Sequence, residues 1–152
     1  MRNWLRCGLN GMTGQRAHKR MISATLSVPL LLDTNALIYH LNMALMPQVT
    51  QQLGDALTAQ QVYISVITRI EMLAWKGHTD ESLRQTTDLI EQLPELALTE
   101  PVIVQAIRIR KAHGLKLPDA VIAATALTHS LQLVTANEAD FYRVDSLSLF
   151  CI

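Results

Sequence analysis

The chain is poor in several things that would otherwise suggest a function. It has two cysteines in 152 residues, Cys7 and Cys151, at opposite ends and in no C-x-x-C pair. That argues against a disulfide framework or a thiolate metal site and points to a reducing cytoplasm. No apolar run reaches the roughly eighteen residues of a transmembrane helix, so no membrane role is expected. Aromatic residues are only 5% of the chain, and no stacking platform for nucleobases stands out. The five histidines, His18, His40, His78, His113 and His129, are scattered without an H-x-H or H-E-x-x-H pattern, and each reads as a single surface histidine. There is no internal repeat and no low-complexity tract. What remains is a globular composition, 49% hydrophobic, of a size to bury one substantial core.

The formal charge is zero, but it is unevenly spread. Residues 1–32 carry Arg2, Arg6, Arg16, Lys19 and Arg20 and no acid, whereas residues 33–152 carry eight basic and all thirteen acidic residues, a net −5. A basic arm therefore precedes an acidic body. The arm, residues 1–27, holds Gly8, Gly11 and Gly14 and shows no periodicity, so it is expected to be irregular. Three readings apply to it: a nucleic-acid-binding tail, a targeting segment, or an artefact of start assignment with Met21 as the start. The targeting reading is the weakest, because Met21–Leu32 contains Ser23, Thr25, Ser27 and Pro29, lacks an A-x-A-like site and is needed as the first strand. The folded domain is placed at 28–152.

Val28–Leu32 is an apolar run that ends in Asp33-Thr34-Asn35, after which a helical pattern begins at Ala36. This reads as a buried parallel strand, a sharp turn and a helix. Further helices are expected from Pro47 to about Ala59, Val66 to Lys76, Asp80 to Leu93, Thr99 to His113, and Ala120 to about Ser130. Further strands are expected at Val62–Ser65, Leu96–Leu98, Leu131–Val134 and Leu147–Ile152. Strands alternating with helices give an α/β fold, a parallel β-sheet flanked by helices on both faces in a three-layer α/β/α arrangement.

Four acidic positions lack local ionic partners. Asp33 follows the first strand, where it also suits a helix N-cap. Glu71 has Ile67, Thr68, Ala74 and Trp75 three or four residues away, none of them basic, and flanks an expected apolar face of Ile67, Ile70 and Ala74. Asp119 opens the uncharged, small-residue helix Ala120–Leu127, which must be mostly buried. Asn137 and Asp140 lie in the turn Thr135–Asp140 after a strand, with Glu138 facing solvent. In open α/β sheets ligands sit beyond the carboxyl ends of strands. Carboxylates converging there without basic neighbours repel one another, and a hard divalent cation, Mg²⁺ or Mn²⁺, relieves the repulsion. The chemistry suited to such a site is phosphodiester hydrolysis. A Mg²⁺-dependent phosphatase lacks its D-x-D here, and a response-regulator-like domain lacks its phosphoacceptor and downstream Lys.

At these residues the chain resembles a PIN-domain ribonuclease of the VapC toxin type. The matching segments are Leu31-Leu32-Asp33-Thr34-Asn35, Ser65 to Glu71, Leu117 to Ala126 and Leu133 to Phe141, in the family's order. The resemblance implies a Mg²⁺-dependent endoribonuclease with Mn²⁺ as a possible substitute, and Asp33, Glu71 and Asp119 as the core metal-binding carboxylates. Asp140, or Asn137 at the position often filled by an acid, completes the set, with Asn35 and Thr135 supporting the pocket or positioning the phosphate. It further implies a cytoplasmic homodimer bound by a small antitoxin protein. Met43, Leu45, Met46 and the Leu83–Leu93 face are candidates for dimer or partner grooves as well as for core packing. Arg108, Arg110, Lys111 and Lys116 either complement a helix dipole or contact RNA phosphates. A non-enzymatic RNA- or protein-binding module on the same fold is the alternative.

Overall fold

A computed structural model describes residues 28–152. The basic arm lies outside the described residues. The elements in chain order are β1 (Leu30–Leu32), α1 (Thr34–Leu41), α2 (Pro47–Thr58), β2 (Val62–Ser65), α3 (Val66–Leu73), α4 (Asp80–Glu91), β3 (Glu95–Leu96), α5 (Glu100–His113), α6 (Leu117–Thr128), β4 (Gln132–Thr135), α7 (Glu138–Phe141) and β5 (Leu149–Cys151). The five strands form one sheet, ordered β3-β2-β1-β4-β5, and every pairing is parallel.

β1 is central, which explains its unbroken leucines: a strand covered on both faces has no polar side. Alternation sends Leu31 to one face, with Val102, Ala106, Ile122, Leu133 and Phe141. Leu30 and Leu32 go to the other, with Leu37, Leu53, Ile64, Met72 and Ile90. α5, α6 and α7 therefore cover one face, and α1, α2, α3 and α4 the other. The three-layer expectation is borne out. Burying a leucine completely contributes roughly 1.5–3 kcal/mol, so three of them anchor the sheet's centre.

α6 is buried at every residue from Ala120 to Ala126. Its small side chains allow it to lie close between the sheet and α5. α5 stops at Gly114, whose φ of +67° is the left-handed turn that a side chain disfavours. α4 opens with a capping box between Thr79 and Ser82.

Three expectations are corrected. α3 ends at Leu73 rather than Lys76, since Trp75 and Gly77 already belong to a turn in which a Cβ on Gly77 would lie 2.5 Å from the Trp75 ring. The buried face of α3 is Thr68 and Met72, while Ile70 is 54% exposed and Ala74 is also exposed. A hydropathy pattern passes over Thr68 because its burial rests on hydrogen bonds. The 135–140 turn contains the single helical turn α7, pinned by the fully buried Phe141.

Candidate active site

The chain leaves β1 in one direction toward β2 and later returns to add β4 on the other side of β1. The crevice beyond the carboxyl ends of β1 and β4 is thus the topological switch point, where open α/β sheets bind ligands. Asp33 follows β1 and Thr135 ends β4. The Asp33 backbone N–H donates to the Val134 carbonyl at 3.0 Å, which fixes the acid's position against β4.

Asp33 is 4% exposed, and both its oxygens are engaged. Oδ1 accepts from the Thr34 N–H at 2.7 Å, as an N-cap does, and Oδ2 accepts from the Thr135 hydroxyl at 2.7 Å. Thr135 in turn accepts from the Asn137 N–H at 2.9 Å. Helix capping is therefore one of Asp33's duties, and each oxygen keeps a second lone pair for a ligand.

Glu71 reaches this strand end through the docking of α3. Ser65 caps α3 through the Thr68 N–H, and the buried Thr68 hydroxyl donates to the Leu32 carbonyl at 3.3 Å, the last residue before Asp33. The Glu71 carboxylate, itself exposed, accepts from the Thr34 hydroxyl. Thr34 therefore serves two carboxylates, Asp33 through its N–H and Glu71 through its hydroxyl. Sequence reasoning passed over Thr34 as a site residue, because a hydroxyl on the first turn of a helix has no local signature of a partner 37 residues away.

Asp119 sits in the first turn of α6, half-buried, where the helix dipole favours an anion. Its carboxyl is nonetheless pushed up from the usual range to about 6. Burial is the largest cause; the charges of Asp33 and Asp140 follow, Lys116 opposes them, and Glu71 adds the smallest push. Asp33 is also raised, chiefly by burial, against which Thr135, Thr34 and Asn35 stabilise its charged form, with Glu71 adding repulsion. The charges of Asp33, Asp140 and Glu71 thus bear on Asp119, and that of Glu71 bears on Asp33.

The fourth corner holds both candidates. The Asn137 side-chain amide donates to Asp140 Oδ2 at 2.9 Å, so they form one unit, and Asp140 is exposed. Glu138 is exposed, as expected. His78 is not a free surface histidine. Its ring nitrogens meet the Met72 carbonyl at 2.8 Å and the Ser82 hydroxyl at 3.1 Å, joining the end of α3 to the start of α4.

A PIN-domain family model matches residues 30–147. The chain belongs to the PIN-domain family. No curated protein sequence matched it. Among solved structures, this PIN domain is similar to a toxin–antitoxin complex from Klebsiella pneumoniae, at 28% identity and TM-score 0.64, covering 81% of this chain and 99% of that one. It is also similar to FitAcB from Neisseria gonorrhoeae, at 26% identity and TM-score 0.63, covering 80% and 96%. DNA-bound VapBC from Salmonella typhimurium shares the fold at TM-score 0.72 and 20% identity, covering 82% and 98%.

The side-chain groups on offer at this strand end of the PIN domain are oxygens of Asp, Glu and Asn, a set that would suit a hard cation better than copper or a thiolate-bound zinc. Among the described residues, no three His, Cys, Asp or Glu side chains are grouped closely enough to grip an ion by themselves. Mg²⁺ keeps several of its waters and takes one or two carboxylates directly, so a looser ring of acids fits that ion rather than a fully caged one. Asp33 and Asp119 are both raised chiefly by burial, with neighbouring carboxylates adding to it, and a cation held among these acids would offset that repulsive part.

Proposed function

We propose that the domain of residues 28–152 is a divalent-metal-dependent endoribonuclease, the toxin of a toxin–antitoxin pair. The reading rests on the strand-end geometry at the β1–β4 switch point, where Thr34 bonds both Asp33 and Glu71 and Thr135 bonds Asp33, with Asp119 near enough to feel the charges of Asp33, Asp140 and Glu71. The similar structure from Klebsiella pneumoniae is a toxin–antitoxin complex, which supports the biological setting.

In this reading Asp33, Glu71 and Asp119 hold Mg²⁺ or Mn²⁺, with Asn137 and Asp140 completing the ring. When bound, the cation lowers the pKa of a water and offsets charge on the phosphate. The chain's own residues supply placement. Thr135 and Thr34 hold the Asp33 oxygens in fixed directions, Thr34 restrains Glu71, and Asn35 supports the charged form of Asp33. Preorganised oxygens lose little freedom when they engage a ligand. Hydrolysis leaves a 5′-phosphate and a 3′-hydroxyl.

The partners in this reading are RNA, a cognate antitoxin and a second copy of the chain, in the cytoplasm. Ile38, Tyr39, Met43 and Met46 are exposed along α1 and the loop after it, Met43 at 92%, which supports an apolar partner surface there. Leu45 instead packs on the core beside α2, as do Leu89, Ile90 and Leu93. Among the described residues, no helix is long and apolar enough to cross a membrane.

The test is cleavage of single-stranded RNA with and without EDTA, comparing the parent with Asp33→Asn and Asp119→Asn. Loss of cleavage in all three cases, with folding retained by circular dichroism, is expected. Undiminished cleavage in EDTA would refute the metal-dependent reading. The binding-module alternative draws on the Asn137 amide occupying Asp140, and it predicts RNA binding without Mn²⁺ uptake or cleavage.

A further inference from the structure

An acidic pocket repels a polyanion, so the body needs a cation placed beside it to receive RNA. Of the eight basic residues in 33–152, four fall between Arg108 and Lys116. The αL turn at Gly114 joins the end of α5 to the start of α6, and Lys116 lies in that connection, three residues before Asp119. Within the connection, Arg110 Nε donates to the Leu115 carbonyl at 3.4 Å and braces the turn.

Lys116 is placed differently. It is the N-cap of α6, and no side-chain bond caps the helix there. The position normally takes Ser, Thr, Asp or Asn, which accept from the free N–H groups, whereas an ammonium has no acceptor. The helix dipole also disfavours a cation at that end. A residue that breaks two local preferences is expected where function requires it. N-cap and N3 side chains are neighbours on the first turn, so Lys116 adjoins Asp119. It is exposed and forms no ion pair: the salt bridges among the described residues are Arg69–Glu95 and Arg84–Glu81. The Lys116 charge is felt at Asp119, where it opposes the repulsion of the other acids.

We propose that Lys116 binds a backbone phosphate of single-stranded RNA at the Asp119 edge of the acidic pocket. This rests on the nuclease reading. An ammonium on a flexible stem suits a phosphate as a point charge and can follow the strand as it settles. The contact adds affinity without reading base identity.

The experiment measures binding of a short fluorescein-labelled single-stranded RNA by polarisation in Ca²⁺ across a salt series, and its cleavage in Mn²⁺. Lys116→Gln is expected to bind roughly tenfold more weakly at low salt. Its plot of log affinity against log salt should flatten by about 0.7, one phosphate contact on a single strand. Lys116→Arg should restore the slope, and Arg84→Gln, an exposed cation paired with Glu81, should leave it unchanged. The cleavage loss should fall in KM more than in kcat, and the Mn²⁺ midpoint for thermal stabilisation should not weaken. An unchanged slope and affinity in Lys116→Gln, an equal loss in Arg84→Gln, or no RNA binding by the parent overturns the proposal. RNA binding with a Lys116-dependent slope but no cleavage overturns the nuclease reading alone.

Discussion

Thr135→Val tests the pocket where its geometry is most specific. Thr135 is fully buried, and its hydroxyl donates to Asp33 and accepts from the Asn137 N–H. Valine keeps the shape and removes both bonds. The bond to a charged, buried carboxylate is worth about 1.5–3 kcal/mol, and the orphaned N–H costs about 1 kcal/mol more if water does not reach it. We expect a loss of about 2–3 kcal/mol at pH 7.5, a fall in Tm on the order of 10 °C for a domain of this size. The sign with pH follows from Asp33. Its folded-state pKa is already above 3.8, so its contribution is fully present below the unfolded value and is lost as pH rises through the folded one. Removing the hydroxyl raises the folded value further, so the variant suffers more at pH 7.5 than at pH 5, which lies nearer the range where a raised carboxyl takes up its proton. Urea denaturation at both pH values measures this, and Thr135→Ser should recover most of the loss. Equal destabilisation at the two pH values, or none at either, would refute the reasoning.

Asp119→Asn should remove repulsion as well as a ligand. The metal-free variant is expected to melt above the parent at pH 7, and its Tm should no longer respond to Mn²⁺, both read by calorimetry. The metal-free parent should gain stability as pH falls from 7 toward 5, because Asp119, raised to about 6, contributes stability below its unfolded value that is lost through 6. The full shift corresponds to about 3 kcal/mol, and solvent screening at a half-exposed carboxyl leaves on the order of 1 kcal/mol; saturating Mg²⁺ should reverse the trend by stabilising the ion-binding form. Phe141→Ala should cost about 3–5 kcal/mol in urea melts, since the ring is fully buried and pins α7 to the sheet face.

The sequence by itself determined the elements and their order, apart from the single turn α7. A triple leucine before Asp33 can only be a central strand, Gly114 can only be a stop, and seven small or apolar residues after Asp119 can only be a buried helix. These are properties of one segment and its periodicity. It also determined that Glu71 lacks a basic neighbour on its own helix, because a helix's ionic neighbours are read from spacing alone.

The tertiary structure decided what those acids touch. Thr135 meets Asp33 across 102 residues, and Thr34 meets Glu71 across 37, because parallel pairing of β1 with both β2 and β4 brings their carboxyl ends level. The same pairing made Thr68 rather than Ile70 the buried side of α3, since only a docked helix can offer its hydroxyl the Leu32 carbonyl. It tied Asp140 to the Asn137 amide, a pairing that a six-residue turn leaves open. Periodicity fixes which way a side chain leaves its own element, and only the packing of elements fixes what it meets.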